Sequence, residues 1–390
     1  MNKWPERPLL ELAILTRGTE PGSGSYTDAA SGKRFLRVGD ITGKTDNPIY
    51  TNSDKLVMVS AKDVLIAFDG TPGHVATGHS GAISSGIRKV EVLDKTRVTS
   101  GWLRYALMSP GVQTTIKQHT RGVTILHASS AVPNVRIPVP PFAEQERIVK
   151  FLGEADALRK LRAEADRRTA DFIPALFHDM FGEPTANTRN WRRNTFGDLL
   201  DRIDGGWSPT CHDRPAQPDE WGVLKLGAVR KCQYLDTENK ALPGNVAPRR
   251  ELEVRVGDLL FTRKNTYELV AACAYVFETR SKLMLSDLLF RLRLKPDVDV
   301  NPIFLWGLLT VPSKRKQVQT LASGSAGSMP NISKGRLMTL PIEVAPRQLQ
   351  EQFASRVAEI RAMQTAQAAS CRRLGDLFNS LLNRAFTGKL

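Results

Sequence analysis

The chain has 390 residues, with 55 basic against 40 acidic side chains and a formal net charge of +15. Its apolar fraction of 41% is that of folded globular protein, which excludes disorder as the default, and the length suits two to four domains. No run approaches the 18 apolar residues of a membrane span, and Met1-Asn-Lys-Trp-Pro-Glu-Arg7 lacks the pattern of a secretory signal, so a cytoplasmic protein is expected.

Residues 1–141 hold 17 basic and 11 acidic side chains. They read as a mixed α and β head. Val57-Met-Val, Val64-Leu-Ile-Ala-Phe and Val90-Glu-Val-Leu are short β-rich runs between Gly, Pro, Ser and Asp turns, and Trp102–Met108 reads as a short helix before Pro110. The basic excess suits contact with a polyanion such as DNA, and the polar loops offer Arg17, Thr19, Ser25, Tyr26, Thr71, His74, Arg121 and Thr124 as candidate DNA contacts. Arginine forks suit base edges, while hydroxyls and backbone N–H groups suit phosphates.

Residues 142–186 change to a helical pattern. Pro138, Pro140 and Pro141 block a helix upstream, and Ala143-Glu-Gln-Glu146 supplies acid suited to a helix N-terminus. Steps of three and four place Ile148, Phe151, Ala155, Leu158, Arg162, Thr169 and Phe172 on one seam. A period near 3.5 residues held over about four heptads argues for a coiled coil. Pro174 is expected to kink or break this rod near its end, and Gly182 with Pro184 to stop it.

Residues 187–346, with 24 basic and 17 acidic side chains, repeat the head. Trp4, Leu12 and Gly18 return as Trp191, Leu199 and Gly205, a shift of about 187 positions that then drifts upward, as loop insertions would make it. Asp63-Val-Leu-Ile returns as Asp258-Leu-Leu-Phe, and Leu259–Thr262, Val270–Val276 and Leu288–Leu294 read as strands, Phe304–Leu309 as a helix. The loops differ from those of the first head and offer Trp207, Ser208, Thr210, Arg263, Lys264, Asn265, Tyr267, Lys314, Arg315, Lys316 and Ser325 as candidate DNA contacts. Residues 347–390 repeat the rod, the pair Glu351-Gln352 echoing Glu144-Gln145, with Phe353, Val357, Ile360, Gln364, Gln367, Leu374 and Phe378 on its seam. Both seams are apolar at the ends and polar in the middle, so antiparallel pairing would bring the polar middles together. A rod of about 40 residues spans about 60 Å, which makes it a natural spacer.

The expected architecture is therefore α+β: two similar heads alternating with two long helices whose seams have the period of a coiled coil, or which pack each on its own head. Neither a phosphate-binding Gly-x-x-x-x-Gly-Lys-Ser/Thr, a dinucleotide fingerprint, a His-Glu-x-x-His nor an Asn/Asp-Pro-Pro-Tyr/Phe occurs. The cysteines Cys211, Cys232, Cys273 and Cys371 have no metal-ligand spacing, so no metal site is expected and the thiols are read as reduced.

The chain resembles the specificity subunits of type I restriction–modification systems. The residues that carry this are Ile137-Pro-Val-Pro-Pro-Phe-Ala-Glu-Gln-Glu-Arg-Ile-Val-Lys-Phe-Leu152 with its weaker echo at Leu340-Pro-Ile342 and Gln350-Glu-Gln-Phe353, Ala175-Leu-Phe-His-Asp-Met-Phe-Gly182, Ser328-Met-Pro-Asn-Ile-Ser-Lys334 and the terminal Ser380–Leu390. The resemblance implies a non-catalytic DNA-binding subunit whose two target-recognition domains each read half of a split, asymmetric sequence in double-stranded DNA. It implies that the two long helices pair as an antiparallel coiled coil that sets the spacing and docks two modification (methyltransferase) subunits carrying S-adenosylmethionine, with restriction (endonuclease) subunits that use ATP and Mg²⁺ and no cofactor on this chain. The composition, with no apolar span, implies no membrane partner. The contrasting readings are a stand-alone DNA-modifying or DNA-cleaving enzyme with degenerate motifs, and a coiled-coil scaffold for other proteins.

Overall fold

The computed structural model describes residues 4–45, 47–123, 125–324 and 329–390. It divides into two compact units, residues 1–165 with 367–390, and residues 166–366. The first contains strands β1 (Ala13–Arg17), β2 (Val64–Ala67), β3 (Val75–Ala76) and β4 (Ile87–Val92), in the order β1-β4-β2-β3. The second contains β5 (Leu200–Gly205), β6 (Leu259–Thr262), β7 (Cys273–Tyr275) and β8 (Leu289–Leu294), in the order β5-β8-β6-β7. The two orders are the same, and all the pairings are antiparallel. Inner strands β2 and β6 are apolar along almost their whole length and fully buried, as strands covered on both faces must be.

Helices α1 (Ser100–Met108) and α2 (Pro110–Gln118) follow β4, then the long α3 (Phe142–Thr169) and the short α4 (Phe172–Phe181). Helices α5 (Pro302–Thr310) and α6 (Pro312–Gln319) follow β8, then α7 (Arg347–Phe386). Short helices begin where the chain supplies caps. Thr99 Oγ1 accepts the Trp102 N–H at 3.0 Å, Asn301 Oδ1 accepts the Ile303 N–H at 2.9 Å, and Pro110 and Pro312 open α2 and α6 where a missing N–H costs nothing.

In the first unit the start of α3 and the end of α7 share one core. Ile148, Leu152, Phe378, Leu382 and Phe386 pack around Trp102 and Tyr105 of α1. The Trp102 and Phe386 rings lie 4.4 Å apart, and the Arg159 guanidinium stands 4.5 Å over Phe378. In the second unit Phe177 and Phe181 of α4 meet Phe304 of α5 and Phe353 of α7 at ring separations of 4.7 to 5.8 Å. There Gln364 Nε2 donates to the Thr169 carbonyl at 2.9 Å, joining two of the polar seam residues. In both units the helices run antiparallel: Arg147 bonds the Leu390 carbonyl while Arg159 meets Phe378, and Thr169 meets Gln364 while Phe177 meets Phe353.

Two features of the first rod differ from expectation. Phe151, Leu158 and Phe172 do not line the seam: they are 52%, 57% and 44% exposed, while Leu152 and Asp156 are buried beside Ile148. A straight helix turns every 3.6 residues, so a strict 3.5-residue count drifts, and here the inner face is decided by what α1 offers. Arg104 of α1 reaches Asp156, a carboxylate also bonded by Arg159 at 2.6 Å and paired with Lys160 at 3.2 Å. Ala155, Arg162 and Thr169 do stay at least half buried, and the second-rod seam from Phe353 through Val357, Ile360, Gln364, Gln367 and Leu374 to Phe378 is buried or half-buried throughout. The helix break falls at Ala170 and Asp171, just ahead of Pro174, because a proline ring clashes with the carbonyl four residues earlier; Pro174 itself sits in the first turn of α4. Gly182, at φ +73°, then closes α4.

The repeat also aligns differently in detail. Gly206, not Gly205, is the counterpart of Gly18: a Cβ on Gly18 would lie 2.2 Å from the Ser84 carbonyl oxygen, and one on Gly206 2.2 Å from that of Leu285. Likewise Gln350, not Gln352, matches Gln145. Each is fully buried and bonds a helix N-cap, Thr99 N–H for Gln145 and Asn301 N–H for Gln350.

Candidate nucleic-acid interface

In the first unit the end of the sheet is closed by a set of polar bonds. After β1 the chain passes so near the 83–84 backbone that only glycine fits, and Gly18 N–H and Thr19 N–H bond the carbonyls of Ile87 and Ile83 at 3.0 Å. Exposed Arg17 donates from Nε to the Ser85 carbonyl at 3.1 Å, and the Glu20 carboxylate accepts Ser85 N–H at 2.8 Å and Oγ–H at 2.7 Å. Arg88 on β4 is only 8% exposed, yet its guanidinium bonds the Ser85 carbonyl and Ser129 Oγ and stands 5.9 Å over the Phe68 ring. Burial, helped by the neighbouring Arg17 charge, pulls the Arg88 pKa below the usual arginine value. The loop from Arg121 to His127 is tied to the same end: Gly70 N–H bonds the Leu126 carbonyl at 2.8 Å, and His127 Nδ1 lies 2.7 Å from Asp69 Oδ1.

The second unit builds the same frame with other chemistry. Trp207 N–H bonds the Leu285 carbonyl at 3.0 Å, and Ser208 Oγ–H donates to Asp287, whose N–H returns a bond at 3.2 Å. The acid and hydroxyl of the Glu20–Ser85 pair have changed places. The cation and ring have done so too: Arg263 follows β6 where Phe68 follows β2, and Phe290 lies on β8 where Arg88 lies on β4. The Arg263 guanidinium stands 5.0 Å over Phe290 and bonds Asn331 Oδ1 at 3.1 Å and the Asp287 carbonyl at 3.5 Å. Arg249 stands 4.5 Å over Trp207, and Lys334 lies 5.8 Å from the Phe290 ring centre. Each head thus ends in a basic, hydrogen-bonded platform with its own pattern of donors and acceptors.

The sequence-based candidates divide accordingly. Arg17 and Arg121 share the platform of the first head, as Trp207, Ser208, Arg263 and Lys264 share that of the second, with Lys264 bridged to Asn331. Thr19 is exposed beside it and bonds the Lys55 carbonyl at 3.0 Å; His74 Nε2 lies 3.0 Å from the Ile41 carbonyl; Thr71 is half-buried. Ser25 and Tyr26 belong instead with the separate five-stranded sheet, Tyr26 packing edge-on to Phe35. Thr210, Tyr267 and Lys316 are exposed, and the Arg315 guanidinium bonds the Glu268 carbonyl. Thr124 and Ser325 lie outside the described residues.

Two candidates are corrected. Lys314 is wholly buried, its Nζ 2.6 Å from Glu343 Oε2 and bonded to the Pro341 carbonyl, so it cannot meet a phosphate; burial lowers its pKa while Glu343 opposes the shift. Asn265 is 6% exposed and spends its Oδ1 on the Thr266 N–H. The platform residues outside the candidate set are Arg88, Glu20, Arg249 and Asp287, with Asn331 quoted in sequence only as part of a loop and a motif. Arg88 had one visible signal, a cation inside the run Ile87-Arg-Lys-Val-Glu-Val92; the others depend on the fold bringing distant loops together.

The described residues contain no group of three or more His, Cys, Asp or Glu able to hold a metal ion, the four cysteines are free, and no described helix is long and apolar enough to cross a membrane.

Residues 1–166 match the family model of the type I restriction modification DNA specificity domain. The chain is 35% identical over 170 residues to the Type I restriction enzyme EcoEI specificity subunit of Escherichia coli, covering 43% of this chain and 28% of that protein. It is 32% identical over 183 residues to the MjaVIII specificity subunit of Methanocaldococcus jannaschii, covering 46% of this chain and 38% of that one. The matched stretches thus span well under half of either curated relative. Two solved structures share the fold over 99% of this chain: the type I restriction–modification S subunit from M. genitalium, with TM-score 0.56 at 14% identity over 96% of that chain, and a structure on complex assembly and conformational transition of the type I R-M system, with TM-score 0.54 at 19% identity over 98% of its chain. Residues 1–166 are thus similar to the type I restriction modification DNA specificity domain, and the chain shares the fold of solved type I specificity subunits.

Proposed function

We propose that this chain is the DNA-recognition subunit of a type I restriction–modification complex, reading a bipartite, asymmetric target in double-stranded DNA. Two recognition heads, residues 1–141 and 187–346, each read one half-site, and the spacer segments 142–186 and 347–390 hold the half-sites at a set distance and dock two modification subunits. The chemistry belongs to those partners, with S-adenosylmethionine on the modification subunits and ATP with Mg²⁺ on restriction subunits, in the cytoplasm. The observation that carries this reading is one framework built twice with different chemistry at its end. Arg17, Glu20 and Ser85 occupy one platform where Trp207, Ser208 and Asp287 occupy the other. Two readers of one sequence would have no use for that difference.

The test is to sequence the methylated adenines of the source genome with the gene intact and with the gene deleted. A two-part methylated motif that vanishes on deletion supports the reading; an unchanged methylation pattern contradicts it.

A further inference from the structure

Within the loop closed by Arg121 and His127, three aliphatic side chains face solvent: Val123 is 102% exposed, Ile125 55% and Leu126 40%. Single exposed apolar residues need no explanation, but three within four positions on one tip do. The two ends of this loop are held. Arg121 and His127 exchange two backbone bonds at 2.8 and 2.7 Å, Gly70 holds the Leu126 carbonyl, and the loop turns at Gly122, φ +110°, where a Cβ would lie 2.1 Å from the Ile125 carbonyl oxygen. It stands at the sheet end that also carries exposed Arg17 and Arg121, while the nearby acids are occupied, Asp69 with His127 and Glu20 with Ser85.

We propose that this tip packs on thymine 5-methyl groups in the major groove, so that the half-site read by the first head contains thymine at the position it covers. The inference rests on the DNA-recognition reading above. Cations beside the tip suit a polyanion, and an aliphatic side chain has no donor or acceptor to offer a base edge. In an intact duplex the thymine methyl is the apolar group the major groove presents, and it tells A·T from T·A as well as from G·C. The side chains are aliphatic, not aromatic, which favours a methyl contact over stacking. The corresponding loop of the second head has another sequence, Ser323-Gly-Ser-Ala-Gly-Ser-Met-Pro-Asn331, without an aliphatic cluster, so the effect is assigned to one half-site.

The experiment uses the full chain assembled with its modification subunits and a duplex carrying its target, with deoxyuridine in place of thymidine in one half-site at a time. Removing the methyl should weaken binding about fourfold per contacted thymine in the first head's half-site. It should leave the other half-site unaffected, and the double variant Val123→Ser/Ile125→Ser should abolish the discrimination while keeping its melting temperature. Intact sequence-selective binding that ignores deoxyuridine overturns this inference alone. So does a Val123→Ser/Ile125→Ser complex that loses modification subunits instead of thymine preference, or a rise in 2-aminopurine fluorescence at the site without deoxyuridine sensitivity, which would mark the tip as a wedge between bases. A complex with no sequence-selective binding overturns the recognition reading and this inference with it.

Discussion

The Gln145 side chain accepts the Thr99 N–H at 3.0 Å, while its amide donates to the carbonyls of Arg97 and Pro140 at 2.9 and 3.0 Å. One buried side chain therefore fixes the start of the long helix α3 to the N-terminus of α1. Gln350 does the same for α7 and α5, accepting from Asn301 N–H at 2.7 Å and donating to Asp299 and Ala345 carbonyls at 3.1 and 2.7 Å. The joint between head and helix is thus the same device in both units.

Gln145→Leu or Gln350→Leu keeps the bulk but strands several buried backbone groups. Each should cost roughly 3 kcal/mol, since each unpaired buried group costs about 1–3 kcal/mol. Denaturant unfolding measures this; a loss under about 1 kcal/mol would show the clamp to be incidental.

Glycine at the platform entrance is required by contact, not by turn type. Gly18→Ala and Gly206→Ala would each press a methyl against two carbonyl oxygens, whereas Gly205 has nothing within 4 Å of its Cβ site. Melting temperatures should fall for the first two variants and hold within a degree or two for Gly205→Ala, which also tests the corrected alignment of the repeat.

The corrected face of the first rod has a similar test. Leu152→Asp places a charge in the core and should cost several kcal/mol, while Leu158→Asp, on an exposed site, should stay within about 0.5 kcal/mol. Phe353→Asp should behave like Leu152→Asp. The reverse order for Leu152 and Leu158 would restore the strict heptad reading.

Acid should loosen the first unit through Asp156. Burial alone would raise this carboxyl's pKa, but the bonds from Arg104 and Arg159 win and hold it below the usual 3.8. A carboxylate with a depressed folded-state pKa contributes its full stability above the unfolded value of 3.8 and loses it as pH falls through the lower folded value. Wild type should therefore lose stability below about pH 4 more steeply than Asp156→Asn, which should already be roughly 3 kcal/mol weaker at neutral pH. Parallel curves for the two proteins would contradict the assignment.

Lys314 and Arg121 test the division between structural cations and those proposed to meet DNA. Lys314→Ala leaves Glu343 buried without its partner and should cost roughly 3–5 kcal/mol, with no change in how DNA affinity depends on salt. Arg121→Ala should do the opposite, leaving stability intact and, where Arg121 meets a phosphate, reducing the slope of log affinity against log salt by about 0.9.

Much of this architecture is legible in the residues. Proline and glycine bracket the helices, and wholly apolar runs such as Val64-Leu-Ile-Ala67 mark inner strands, because those signals are local. What is not legible depends on distance. Phe151 and Leu158 read as seam because a heptad count cannot know that Arg104 waits for Asp156. Lys314 reads as a surface cation because Glu343 lies 29 positions away in sequence. Arg88 and Arg263 occupy opposite strands of equivalent pairs, so no alignment of the two halves brings them into one column.

If the two halves read two different DNA sequences at a set separation, the DNA that the protein selects must carry both of them. The direct measurement is selection of bound fragments from random double-stranded DNA by the chain assembled with its modification subunits. The selected fragments should share two unlike half-sites separated by an unspecified gap of constant length. A single continuous motif, two identical half-sites, or no enriched motif would contradict it.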